Sequence, residues 1–136
     1  MKMHVVYVKY GTFLSACSIG EKYAEIAEKA LTVPQDTMEL VALIEYVHSV
    51  ESDLIYTLED QLREVNRYML FLADYTTYSP LEIKQNTTTY NWYNKMSAIF
   101  DEHRAMVEQK TLEFQELLKV RFGERGFVHK KMGFTP

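Results

Sequence analysis

Apolar residues recur along this chain at steps of three and four, the spacing that places side chains on one face of an α-helix. The most regular stretch reads Leu40, Ile44, Val47, Glu51, Leu54, Leu58, Leu62, Val65, Met69 and Leu72. It keeps a heptad rhythm with one stutter, between Leu58 and Leu62, and only Glu51 interrupts the stripe. Neither glycine nor proline occurs between Pro34 and Pro80. The pattern therefore predicts a helix of up to about 38 residues, roughly 57 Å long at 1.5 Å per residue. Its start is marked by Asp36-Thr37-Met38-Glu39, a capping box in which Asp36 accepts from the N3 amide while Glu39 reaches back. The competing reading is a break near Ser52-Asp53, because Ser and Asp favour caps over helix interiors and Asp53 can open a fresh helix.

A second long pattern begins at Ser79-Pro80-Leu81-Glu82, a capping box with proline at the first helical position, where its missing N–H costs nothing. Its middle, Asn86 to Asn94, is poor in helix formers and predicts a kink or loop. The rhythm then resumes as Tyr93, Met96, Phe100, His103, Val107, Lys110, Phe114, Leu117 and Arg121. With Tyr75-Thr76-Thr77-Tyr78 as the connection, the two patterns form a helical hairpin. Ahead of them, Glu21 to Leu31 predicts a short helix with Tyr23, Ile26, Ala27, Ala30 and Leu31 on one face, ending before Pro34. The expected fold is all-α: a long antiparallel helical hairpin with a short N-terminal helix. Residues 1–20 are expected to be a poorly ordered N-terminal segment, residues 21–121 the helical region, and residues 122–136 a disordered tail.

Composition agrees. The 136 residues make one domain's worth of chain, 47% apolar and 25% charged, with 5 glycines and 3 prolines. A net charge of −4 supplies no electrostatic footprint for nucleic acid. Within it, residues 37–74 hold eight acids against two bases, residues 79–121 balance six against six, and residues 122–136 carry two surplus bases. Antiparallel packing of the first two segments would face bases with acids. The single Cys17 allows no internal disulfide. Lys9 interrupts the apolar run Val5-Val6-Tyr7-Val8, which argues against a signal peptide, and no run approaches the ~18 apolar residues of a membrane span. The expectation is a soluble, cytosolic chain.

Chemistry has little to rest on. Neither a phosphate loop nor a dinucleotide fingerprint is present. His4, His48, His103 and His129 have no partner at metal-ligand spacing, and Asp101, Glu102 and His103 diverge around a helix. Catalytic residues, cofactor and metal are therefore all predicted to be none. Glu51, Lys110 and Arg121 sit at stripe positions either as seam-edge residues or as buried polar groups that set register. Asn86-Thr87-Thr88 fits a glycosylation sequon, which without a signal peptide predicts no modification. Tyr90, Trp92 and Tyr93 have the composition of a base-stacking platform, but without a basic groove they read as helix-packing anchors. The candidate helix-packing or partner contacts are Leu58, Leu62, Val65, Met69, Leu72, Tyr90, Trp92, Tyr93, Phe100, His103, Val107 and Phe114.

Several spaced runs carry a family resemblance. Tyr68-Met69-Leu70-Phe71-Leu72-Ala73-Asp74-Tyr75, then Ser79 to Asn86, then Trp92 and Ile99-Phe100-Asp101-Glu102-His103-Arg104, together with Tyr23 to Ala30, resemble the tail of axonemal dynein heavy chains of inner-arm type. The similar segment is the one leading into the linker, and it covers roughly residues 21–121. The resemblance implies a helical bundle that packs against other heavy-chain tail helices and against dynein intermediate or light-intermediate chains. It places the chain in the cytoplasm, cytoskeleton and ciliary axoneme, in microtubule-based movement. No position matches the family's ATPase motifs, and the two ends do not continue its pattern, which implies a truncated or alternative product. An independent small coiled-coil adaptor that recruits partner helices is the other reading of the same stripes.

Overall fold

A computed structural model describes residues 2–123, and every regular element among them is helical. Helix α1 spans Lys2–Ala30 and α2 spans Thr37–Ser49. A π-helical turn, Val50–Leu54, joins α2 directly to α3, Ile55–Leu72. Helix α4 runs unbroken through Pro80–Gly123. The chain therefore passes up through α1, back along the α2–α3 rod and up again through α4.

The register of this arrangement can be read from its hydrogen bonds and ion pairs. The Thr89 hydroxyl donates to the Ala16 carbonyl at 3.0 Å, and His103 Nδ1 lies 2.9 Å from the Ala30 carbonyl. Lys9 Nζ meets the Glu82 carboxylate at 3.3 Å. All three pairs have the same offset along the sequence, so α1 and α4 run parallel in one constant register. The contacts fall seven and fourteen residues apart, which is the repeat of a coiled-coil seam. Tyr23 and Met96, at the intervening heptad position, are both buried. Between the rod and α4 the relation reverses: Met69 meets Asn86 near the connection, and Glu51 meets Arg104 farther away. The rod is antiparallel to α4.

Both capping boxes form. Glu39 N–H donates to Asp36 Oδ1 at 2.8 Å, and the Glu39 carboxylate accepts from Gln35 N–H at 2.7 Å, one residue earlier than the usual reciprocal partner. At α4, Ser79 Oγ accepts from Glu82 N–H and Glu82 Oε2 accepts from Ser79 N–H.

Four sequence expectations are corrected. The first helix begins at Lys2 rather than Glu21, so residues 2–20 are not a poorly ordered segment. Their β-branched and aromatic residues are weak helix formers, but Ala16 and Ile19 are buried in the core, and packing outweighs propensity. The N-terminal helix is consequently long, and its most extensive packing is against α4 and then α3. The hairpin becomes a three-layered bundle with α1 filling the space between its arms. The expected kink at residues 86–94 is absent. Thr87, Thr88 and Thr89 each donate a hydroxyl hydrogen bond to the carbonyl four residues earlier, so they satisfy themselves inside the helix. The α2 stripe is Leu40, Leu43, Val47 and Val50, with Ile44 turned outward and Glu51 at the edge.

The competing break near Ser52 takes the form of the π turn. Ser52 Oγ donates to the freed carbonyls of His48 and Ser49, at 2.8 and 3.2 Å. From Val50 the inward positions step by four, to Leu54, Leu58 and Leu62. Successive steps of four drift off a 3.6-residue face, and a turn that takes in an extra residue corrects the drift. Of the expected tail over residues 122–136, Phe122 and Gly123 belong to α4, and the rest lies outside the described residues.

The seam is tight at Gly20. A Cβ there would lie 3.0 Å from Thr89 Oγ1. Gly20→Leu should therefore lower stability despite a better helix propensity, by about 1–3 kcal/mol for overpacking. The check is the urea midpoint followed by helical circular dichroism. An unchanged midpoint would show slack in the seam.

Candidate functional site

The residues expected to make helix-packing or partner contacts divide into three groups. Leu58, Leu62, Val65, Leu72, Phe100 and His103 are buried within the bundle itself. Met69, Tyr90, Trp92, Val107 and Phe114 are half-buried, and Met69 and Trp92 pack against the core. Tyr93 is exposed. Most of the stripe is thus closed internally. Exposed apolar residues remain both at Tyr93 and Leu117, which the heptad reading selected, and on outward faces that it did not.

Three polar arrangements hold those faces in position. At the end of α1, the Ala30 carbonyl has no partner within its helix, and His103 Nδ1–H donates to it. The His103 ring is only 4% exposed, so it acts as a buried cap rather than as a solvent-facing base. At the other end of the bundle, Lys9 reaches from α1 to the connection between α3 and α4. Its ammonium donates to the Thr77 carbonyl at 2.7 Å, pairs with Glu82 and lies 5.6 Å from the Tyr78 ring centre. The Tyr78 hydroxyl donates to the Met69 carbonyl at 2.7 Å. Lys9 therefore ties the connection to α1, a role that its position in an apolar run did not disclose.

The third arrangement lies beside the π turn. Glu51, Ile55, Tyr56 and Glu59 on the rod face Tyr93, Asn94, Met96, Ser97, Phe100 and Arg104 on α4 across an open cleft of about 430 Å³. Arg104 bridges it, meeting Glu51 at 3.2 Å and Asp101 on its own helix at 2.7 Å. Asp101 first, and then Glu51, hold the guanidinium above its ordinary pKa. Glu51 is thus a cross-helix register contact, whereas Lys110 pairs with Glu113 on its own helix and Arg121 is exposed.

Tyr23 is fully buried, and its hydroxyl has no hydrogen-bond partner. Burial, with the Glu59 carboxylate and Tyr93 near it, pushes the phenol up to about 12. Burial also raises Tyr46, Tyr78 and Tyr90. It raises the half-buried Cys17 too, with Glu21 adding to the effect. Among the described residues no three His, Cys, Asp or Glu side chains group closely enough to hold a metal ion. Among them, too, no helix is long and apolar enough to cross a membrane.

The outward faces include an aromatic patch at the end of α3. Tyr68, Leu70, Phe71 and Tyr75 are all exposed, and the Phe71 and Tyr75 rings lie 5.2 Å apart. They alternate with Met69 and Leu72, which turn inward, so a single run serves both the core and the surface. The chain is 29% identical over 105 residues, 76% of its length, to dynein axonemal heavy chain 12 of Rattus norvegicus. It is 31% identical over 90 residues, 66% of its length, to the Homo sapiens counterpart. With dynein axonemal heavy chain 3 of Mus musculus it shares 41% identity over 58 residues, 43% of its length. Its relatives are axonemal dynein heavy chains. The dynein-related chain spans about 3% of the length of the heavy chain 12 relatives and about 1% of heavy chain 3. No protein-family model matches it, and no solved structure does.

Two substitutions in the dynein-related chain probe the buried polar groups. The raised Tyr23 pKa means that the folded state keeps a proton that the unfolded state releases above pH 10. Stability from this source is intact below pH 10 and is lost as pH rises from 10 toward 12. Tyr23→Phe should be neutral or stabilising at pH 7, because it removes an unpartnered hydroxyl, and should lessen the alkaline loss. Urea titrations at pH 7 and above pH 10 read both effects. His103→Leu leaves the buried Ala30 carbonyl without a donor and should cost about 1–3 kcal/mol in the same assay.

Proposed function

We propose that this chain is a non-catalytic helical segment of an axonemal dynein heavy chain, of inner-arm type, from the tail region that leads into the linker. It contributes to microtubule-based ciliary movement through helix packing, against neighbouring tail helices and against dynein intermediate or light-intermediate chains. The observation that carries this reading is the similarity to heavy chain 12 over 105 residues of a chain that is helical throughout its described length. The exposed aromatic patch supports the packing role. Tyr68 to Tyr75 is a family-like run, and its outward residues are the types that anchor protein interfaces. The chain carries no chemistry of its own on this reading, and its place is the ciliary axoneme.

An independent coiled-coil adaptor is favoured by a different observation: Leu112, Leu117, Leu118 and Val120 are exposed on the last turns of α4. The two readings differ in what they bind. Immobilised full-length chain, incubated with solubilised axonemal proteins, should retain dynein intermediate or heavy chains identified by mass spectrometry. Replacing Leu70 and Phe71 by Glu should reduce that capture by about tenfold or more, as expected for loss of interface anchors. Retention of no dynein chain by a folded sample would overturn the dynein reading. A concentration-dependent dimer in sedimentation, without dynein capture, would establish the adaptor.

A further inference from the structure

The cleft beside the π turn differs at its two ends. At one end Glu51 on the rod meets Arg104 on α4 at 3.2 Å. The register that sets Glu51 against Arg104, and Met69 against Asn86, sets Glu59 against Met96. At this second end Glu59 therefore faces an apolar side chain, with Tyr93 and Ser97 beside it, and Arg104 is the one base of α4 that lines the cleft. Lys95, next to Met96, lies over the Trp92 ring instead. Among the described residues the only ion pair of Glu59 is with Arg63 on its own helix, at 4.0 Å, and Arg63 is nearer to Asp60, at 3.0 Å. Yet the Glu59 side chain is only 26% exposed, so its carboxylate is partly desolvated without a close cation.

Two further features of this end point to a cationic occupant. Tyr56 on the rod and Tyr93 on α4 are 60% and 42% exposed, which leaves rings on opposite walls open to a ligand. Tyrosine faces attract a guanidinium by cation–π interaction and stacking. Behind the cleft, on α1, Tyr23 is fully buried and its hydroxyl has no partner. The two groups that bear on its charge, Glu59 and Tyr93, both line the cleft. Buried polar atoms are rarely left unsatisfied, so an orphan beside a half-buried carboxylate marks a place where a donor is expected.

We propose that the Glu59 end of this cleft binds an arginine side chain presented by a protein partner. The flat guanidinium fits between two tyrosine rings, and its parallel N–H groups suit one carboxylate, whereas an ammonium offers only a point charge. Arg104 already displays this chemistry at the other end, where its guanidinium bridges Glu51 and Asp101. The cleft, about 430 Å³ and open to solvent, admits a side chain carried on a segment lying across it. The site does not depend on the dynein reading, and its test involves no axonemal protein.

The test is an NMR titration of the full chain, ¹³C-labelled in its tyrosine rings and glutamate side chains. The probe is the capped tripeptide acetyl-Ala-Arg-Ala-amide, compared with its citrulline counterpart, which has nearly the same shape and no charge. The expected result is saturable shifts at Tyr56, Tyr93 and Glu59, with the citrulline peptide about tenfold weaker or more. Glu59→Gln should keep the helical circular dichroism and weaken the arginine peptide by about tenfold. The absence of saturable shifts at the cleft would overturn the proposal, as would shifts confined to another surface or equal binding of the two peptides. Unchanged affinity in folded Glu59→Gln would overturn it as well. If that variant did not fold, the two peptides on the unaltered chain would still decide.

Discussion

The structure depends on the constant register between α1 and α4. Lys9 with Glu82, Ala16 with Thr89 and Ala30 with His103 repeat one sequence offset along the whole length of α1. Parallel helices cannot be joined by a short turn, so the chain must first return along the α2–α3 rod. That return covers the remaining flank of α1 with Leu43, Val47, Leu58 and Val65. At the centre of the seam Gly20 lets α1 approach Thr89 closely. At its two ends polar groups fix the alignment: Lys9 gathers the connection between α3 and α4, and His103 closes the last turn of α1. Apolar burial supplies most of the driving force, while these polar contacts choose one alignment among several that the stripes would tolerate.

The π turn follows from the same constraint. The rod must keep an apolar face toward α1 over 36 residues, from Thr37 to Leu72. A strict α-helix would carry that face around the axis where the pattern steps repeatedly by four. One wide turn at Val50–Leu54 resets it, and Ser52 supplies hydrogen bonds to the carbonyls that the wide turn releases. The same reset sets Glu51 against Arg104 and opens the cleft beside Tyr56 and Tyr93. A local backbone irregularity thus serves both the core and the outer surface.

For function, the division between inward and outward residues matters more than the number of apolar residues. Leu58, Leu62, Val65, Leu72 and Phe100 close the bundle's own core. The exposed apolar residues are others: the aromatic group from Tyr68 to Tyr75 and the far turns of α4. Both are ordinary helix-packing surfaces with no assembled chemistry among the described residues.

The sequence by itself determined the helical class, the two capping boxes at Asp36 and Ser79, and the inward positions of α3. Each rests on residues within a turn or two of one another, where propensity, hydrogen bonding and period act locally. It also located the irregularity near Ser52. It could not establish that α1 begins at Lys2, since the Val- and Tyr-rich residues there are weak helix formers until Ala16 and Ile19 are packed. The three threonines at 87–89 suggested a kink for the same reason, and burial of Thr89 against Ala16 kept the helix straight through them. Lys9, Gly20, Tyr23 and His103 acquire their roles only from groups far away in the sequence, such as the Ala30 carbonyl that His103 meets across 73 residues. Such roles belong to the tertiary structure, because register between helices is decided by which distant surfaces fit and not by the order of residues within either one.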